Sequence, residues 1–264
     1  MEIPIAAAII LTLAWPTAGL AGSPFDGTWK ADPGSLWSSK ADTFMLINDL
    51  YTCGNCGELH PSVAADGRDH PVANSPYFDT LSATVIDART VRTVIKRGGK
   101  TVGFATITAS ADGKTLTDSI TDGTATTGAP AVVTFTEIRI GKPVPGAHAI
   151  SGTWRAAASE LSENWLTMTL KLRGNEMSFS TPSGQSYTAR LGGPDAPYVG
   201  DPGITSVSVR RIGRSVIEET DKRGGKIISI ASMTLSADGT KLTTKLEGKL
   251  SGTDYVWSDL RQAP

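Results

Sequence analysis

Cysteine is nearly missing from this chain. There are two among 264 residues, both inside Cys53-Gly54-Asn55-Cys56, so no disulfide framework holds a small loop-rich fold together. Histidine is scarce as well, at three. His-Glu-x-x-His, Gly-x-Ser-x-Gly and the phosphate-cradling glycine loop are all absent, which removes the enzyme classes those motifs announce. An excess of either charge is lacking too. Lys plus Arg number 25 against 26 for Asp plus Glu, a net charge of −1, which leaves no electrostatic case for nucleic acid or an anionic membrane. The clusters Lys96-Arg97 and Arg210-Arg211 are short and read as solvated turns and edges. No apolar run after Trp15 is long enough to span a bilayer. Helical periodicity is also missing, with Ala156 to Glu163 the one stretch that reads as a short helix.

What the chain does have is a repeat. Lys96-Arg97-Gly98-Gly99-Lys100 through Ser110-Ala111-Asp112-Gly113 recurs as Lys222-Arg223-Gly224-Gly225-Lys226 through Ser236-Ala237-Asp238-Gly239, at a constant offset of 126 residues (222 − 96 and 236 − 110). Gly-Gly and Asp-Gly are hairpin turn signals, and the segment between them is too short for a helical crossover, so the strands pair antiparallel. Val102 and Phe104 share one parity, Ile107 and Ala109 the other, and the same slip recurs at Ile228/Ile230 and Met233/Leu235. A bulge near Ala105/Thr106 and near Ala231/Ser232 is the expected remedy; a strand buried on both faces would need none. Each copy opens on Gly-Thr-Trp, at Gly27 and Gly152. Each closes on a strand ending in arginine, Val133-x-Phe135-x-Glu137-x-Arg139 and Tyr255-x-Trp257-x-Asp259-x-Arg261.

In chain order, the apolar run Ile5 to Trp15 and the small residues Ala18-Gly19-Leu20-Ala21 read as a signal peptide over residues 1–22, cleaved after Ala21. Export to the periplasm or outside the cell is the corresponding localisation. Residues 23–142 form the first repeat, with a polar, turn-rich insertion between Leu50 and Phe78. Residues 143–150 read as a short stiff linker, and residues 151–264 as the second repeat. In the latter, Leu166, Met168, Leu170 and Leu172 alternate with polar residues as a half-buried strand requires. Seven to eight short strands per repeat, joined by tight turns, close most economically as an up-and-down barrel. The fold class is all-β, two tandem antiparallel barrels.

The Gly-x-Trp on the first strand and the Arg at the end of the last resemble the lipocalin, or calycin, pattern. That resemblance implies that the arginine packs across the tryptophan and closes the barrel base, Trp29 with Arg139 and Trp154 with Arg261. The chain as a whole resembles exported bacterial proteins of unassigned function that share the paired Gly-Thr-Trp and Asp-Gly-Lys-Thr-Leu-Thr segments, a resemblance that implies no activity.

Cys53 and Cys56 are expected to form a disulfide in an exposed insertion of the first barrel, since an exported protein meets an oxidising compartment. A redox pair and a metal site completed by His60 and His70 are the alternatives. His148 reads as solvated, and Glu137 with Arg139, like Asp259 with Arg261, as a structural pair at a barrel end. Three functions remain open. The leading one is a non-enzymatic exported protein binding a small apolar or amphipathic ligand, without cofactor. The others are a pocketless structural or interaction module of the cell envelope, and a redox or metal-binding protein acting through Cys53/Cys56. Oligomeric state is not legible.

Overall fold

A computed structural model describes residues 23–55, 59–124 and 130–263; the signal peptide expected over residues 1–22 lies outside them. The chain is nearly all β-strand. It begins with β1 (Gly27–Ala31), a 3-10 turn (Pro33–Ser35) and β2 (Trp37–Ser38). It continues through β3 (Asp42–Ile47), β4 (Leu50–Cys53), β5 (Ser62–Ala64), β6 (His70–Pro71), β7 (Thr80–Asp87), β8 (Thr90–Arg97), β9 (Lys100–Ala109), β10 (Thr115–Asp122) and β11 (Ala131–Ile140). After β12 (Gly152–Leu161) and one helical turn, α1 (Glu163–Leu166), come β13 (Thr167–Arg173), β14 (Glu176–Ser180), β15 (Ser186–Arg190) and β16 (Ala196–Pro197). The last strands are β17 (Ser206–Arg211), β18 (Val216–Arg223), β19 (Lys226–Leu235), β20 (Lys241–Gly248) and β21 (Asp254–Arg261). Among the described residues no helix is long and apolar enough to cross a membrane.

These strands form two nearly closed antiparallel barrels. Barrel I runs β5-β4-β3-β12-β11-β10-β9-β8-β7-β6 and barrel II runs β15-β14-β13-β1-β21-β20-β19-β18-β17-β16, with β2 added against β21. The edges of barrel I approach through the Asp66–Thr84 bridge, and those of barrel II through Ser186–Val199 and Leu191–Val209. The expected division at residues 143–150 is corrected by the pairing. The opening strands have changed places: β1 lies between β13 and β21, and β12 between β11 and β3. Barrel I is therefore continuous in sequence from β3 to β12, while barrel II joins β1 to β13–β21. The reason is local. Once β11 is laid down, the strand that follows it is its nearest antiparallel partner, and consecutive strands pair by preference.

The barrel-closing contacts are exchanged accordingly. Trp29 stacks under Arg261, at 4.3 Å from ring centroid to guanidinium, and Trp154 under Arg139 at 3.9 Å; the expected pairs, Trp29 with Arg139 and Trp154 with Arg261, do not form. Both tryptophans are fully buried, and their indole N–H groups donate to the Phe25 and Ile150 carbonyls at 3.0 and 2.8 Å. Each guanidinium donates to three carbonyls. Arg139 reaches Gly113, Ser151 and Ala149 at 2.6–2.7 Å, and Arg261 reaches Gly239, Asp26 and Pro24. Gly113 and Gly239 belong to the repeated Ser-Ala-Asp-Gly turn, so the turn that marks the repeat is also an arginine anchor. Gly27 and Gly152 sit at φ +146, and a Cβ at either would collide with the guanidinium. The glycine of Gly-x-Trp is thus required by backbone angle and by space.

Other expectations resolve in detail. A bulge does recur in both copies, but at Val102 and Ile228, where the pairing slips beside Ile95/Lys96 and Asp221/Lys222. Beyond it the alternation is unbroken, and Phe104 points outward under Arg92 at 4.9 Å. Leu166, Leu170 and Leu172 are buried as their spacing predicts. Residues 156–161 continue β12, so the short helix is confined to Glu163–Leu166. The linker does not span between barrels. Ile150 is fully buried in the barrel I core, and His148 is tied down, its Nε2 at 2.7 Å from the Asp87 carbonyl and its backbone N–H on Leu46.

The exchange has a direct test. In a double-mutant cycle read by urea unfolding, Trp29→Phe and Arg261→Met should couple by about 0.5–2 kcal/mol. Trp29→Phe and Arg139→Met should add with no coupling beyond about 0.5 kcal/mol. The opposite assignment of coupling would overturn the crossed closure.

Candidate functional site

The offset of 126 residues persists through the pairing from β3 to β10, and is 125 at the opening strands (152 − 27) and 122 at the closing ones (261 − 139), so positions in the two barrels can be compared one by one. Gly27 pairs with Leu170 and Gly152 with Phe44; Leu170 pairs with Phe179 and Phe44 with Cys53. Barrel II is filled. Phe179, Tyr187 and Tyr198 pack with ring centroids 5.2–6.2 Å apart, and the Tyr187 hydroxyl donates to the carboxyl of Glu219. The equivalent positions in barrel I hold Cys53, Pro61, Val72 and Thr93. Large side chains have been replaced by small ones, and a cavity of about 660 Å³ occupies the space, bordered by Cys53, Pro61 and Thr93. That volume is in the range of small-molecule sites, roughly 300–1,000 Å³.

The wall is mainly apolar and aromatic: Phe44, Tyr51, Leu81, Ile107, Ile120 and Phe135 come from six strands of barrel I. The rim is built from both crossing segments and from barrel II. Leu36 and Ser38 lie on the segment leading from β1 to β3, and Asn164 and Trp165 on that leading from β12 to β13. Thr181, Ser183, Gln185, Asp201 and Tyr255 belong to barrel II. The Asn55 amide nitrogen donates to Asp42 at 3.1 Å, and its oxygen accepts from Thr253 at 3.0 Å. This chain of bonds fastens the rim of barrel I to barrel II. A shallower depression lies over the outer face of β13–β15.

Of the five acids that border the cavity, three bear on one another: Asp42 on β3, Asp118 on β10 and Glu137 on β11. Glu137 is 1 % exposed and Asp118 7 %, and Asp118 Oδ1 and Glu137 Oε2 have no hydrogen-bond partner. Burial, reinforced by the Asp42 charge, pushes Asp118 up to about 7. Burial, with Asp42 and Asp118 beside it, pushes Glu137 up to about 8. Asp42 is raised by burial, an effect partly offset by Asn55. Among the described residues bordering the cavity there is no Lys, Arg or His. Glu137 is therefore not the partner of Arg139, whose donors are taken up by carbonyls. The structural pair expected at this barrel end is replaced by a carboxyl directed inward.

The sequence-derived candidates fall in different places. Cys53 closes β4 at 1 % exposure and belongs to the barrel I core; it does not sit in an exposed insertion. The stretch from Leu50 to Phe78 supplies β4, β5 and β6, the counterparts of β14, β15 and β16, and its turn-rich composition hides their shortness. Cys53 is not a free thiol; Cys56 lies outside the described residues, and so does any pairing between the two. His70 meets Asp66 at 2.8 Å, while His60 is exposed. Among the described residues no group of three or more His, Cys, Asp or Glu is placed to hold a metal. Sequence reasoning passed over Asp42, Asp118, Tyr51 and Trp165. A signal for Asp118 existed: it stands between Leu116 and Ile120 on their parity, where the second copy has Thr244 between Leu242 and Leu246.

No family model matches this chain, and no curated protein matches it.

The raised carboxyls fix the sign of a pH dependence. Folded Asp118 and Glu137 hold protons that the unfolded chain, with carboxyls near 4, has already released. Their contribution is complete below about pH 4 and is lost as pH rises to about 8; Asp259, lifted by burial to about 7, acts in the same direction. The urea midpoint should fall between about pH 5 and 8.5, and Asp118→Asn should raise it at the upper end. A midpoint that climbs over this window would contradict the assignment.

Proposed function

We propose that this protein binds a small apolar or amphipathic ligand inside barrel I. One observation supports the reading above the others: of two barrels built from one repeat, one is filled by its own aromatic side chains and the other is hollow. An unfilled interior costs stability, at roughly 24 cal/mol per Å³ of cavity in comparable cases. A cavity of this size that serves no ligand would be a standing destabilisation. Its aromatic and aliphatic wall with a few polar groups is the usual make-up of a small-molecule site, and the resemblance to lipocalin-type closure accords with such a use. We further infer export to the periplasm or beyond the cell, on the strength of the apolar run at residues 5–15. A Cys53–Cys56 disulfide would then pin the end of β4 beside the chamber, with a modest effect on global stability because the loop it closes is very small.

The test fills the chamber in the manner of barrel II. Pro61→Tyr introduces the ring that stands at Tyr187. Wild-type protein should enhance the fluorescence of the neutral probe N-phenyl-naphthylamine, and the variant should bind it at least about tenfold more weakly, a loss of ~1.4 kcal/mol, with an unchanged or higher thermal midpoint. Absence of binding to the wild type, or undiminished binding to a folded variant, would reject the proposal.

A further inference from the structure

We infer that the chamber takes a cationic amphiphile, an apolar body carrying an ammonium nitrogen, with the cation seated between Asp118 and Glu137. The inference rests on the proposal that barrel I holds a ligand, and names its class. Four observations converge on it. Asp118 and Glu137 lie on adjacent strands, in neighbouring rows of the same inward face, since Leu116 pairs with Glu137 and Asp118 with Phe135. Each side chain is more than nine-tenths buried, borders the cavity, and has an oxygen without a hydrogen-bond partner. Buried polar atoms are nearly always satisfied, so the chamber is short of a donor. Five acids border the cavity, Asp42, Asp118, Asp122, Glu137 and Asp201, with no basic side chain among the described lining residues. An anionic ligand would meet uncompensated repulsion.

Barrel II handles its acids differently. There Glu219 accepts a hydrogen bond from the Tyr187 hydroxyl, and the corresponding positions in barrel I hold Thr93 and Pro61. Asp259, the counterpart of Glu137, is also buried with an unpartnered oxygen, but Asp118 stands where barrel II has Thr244, which sets two such carboxyls on the wall of one cavity. With no basic side chain among the described lining residues, the ligand must bring the positive charge. Phe44, Tyr51 and Phe135 supply aromatic surface around it, which suits an ammonium group through cation–π attraction.

Burial holds the two carboxyls in their protonated forms at lower pH, so a cation of fixed charge displaces protons on binding. Its affinity should rise from about pH 6 to 8.5. The other titratable groups bordering the chamber are Asp42 on β3, Tyr51 on β4, Asp122 on β10, Tyr255 on β21, and Tyr77 and Asp201 at its rim. Burial raises Tyr51 and Tyr255 above their ordinary range, so neither titrates in this window.

The experiment is calorimetric titration of the full chain with three probes sharing one tail: decyltrimethylammonium, decanol and decanoate. At about pH 8.5 the ammonium probe should bind at least about tenfold more tightly than decanol, and its advantage should shrink as pH falls. In the Asp118→Asn/Glu137→Gln variant the ratio of the two affinities should drop to near one. If that variant does not fold, the pH series on the wild type decides alone. Decanol or decanoate binding as tightly as the ammonium probe, or an advantage independent of pH, overturns the cationic assignment and leaves ligand binding standing. Binding of none of the three overturns both.

Discussion

The structure depends on a tryptophan and an arginine that belong to different copies of the repeat. Trp29 and Arg261, and Trp154 and Arg139, close the two barrels by a stacked contact held in a cage of carbonyls. No carboxylate answers either guanidinium among the described residues. Its charge is satisfied by backbone dipoles from the Ser-Ala-Asp-Gly turn and from the segment preceding the Gly-x-Trp strand. That arrangement explains why glycine, tryptophan, the Asp-Gly turn and arginine recur together. Each is one part of a single contact, and replacing one glycine hydrogen by a methyl group would be enough to displace the arginine.

The exchange of opening strands also shapes the candidate site. Two segments must cross between barrels, residues 32–41 and 162–166, and both border the mouth of barrel I. A pair of barrels joined only by a linker would leave that mouth facing solvent. Here it faces the neighbouring barrel, with Tyr255 and the turn at Thr181–Gln185 across from it. Duplication followed by crossed pairing thus yields an interior lined by one copy and roofed partly by the other. The copies then differ in what fills them: aromatic rings in barrel II, and in barrel I an open volume bordered by acids.

Much of this was legible from the residues, and the rest was hidden for identifiable reasons. The repeat offset alone gives the strand equivalences, and the parity of Leu166, Leu170 and Leu172 gives the buried face. Which tryptophan meets which arginine is not encoded locally, because the two copies of the motif are chemically the same. The decisive information is chain connectivity: β12 follows β11 directly and pairs with it. The bulge was visible as a slip in phase, but its place was not, since a bulge at Val102 and an outward Phe104 produce the same alternation as one at Ala105. The strands between Leu50 and His70 were obscured by their brevity. The cavity was written in plain sight, as Cys53, Pro61, Val72 and Thr93 opposite Phe179, Tyr187, Tyr198 and Glu219, but it is readable only once the register ties those positions together.

The place of β1 in barrel II has a consequence for how the chain is made. Synthesis runs from the amino end, so β3–β12 can assemble as soon as residue 161 is free, while β1 waits for β13 and β21. The first strand to emerge is among the last to be paired. Until those partners follow, its backbone groups are paired only with water and Trp29 is unburied. β1 spans only Gly27–Ala31 and places Thr28 and Lys30 beside the tryptophan, a short and partly charged segment of the kind that resists pairing with strangers. Its modest length fits an element that must stay available, without aggregating, until its partners arrive.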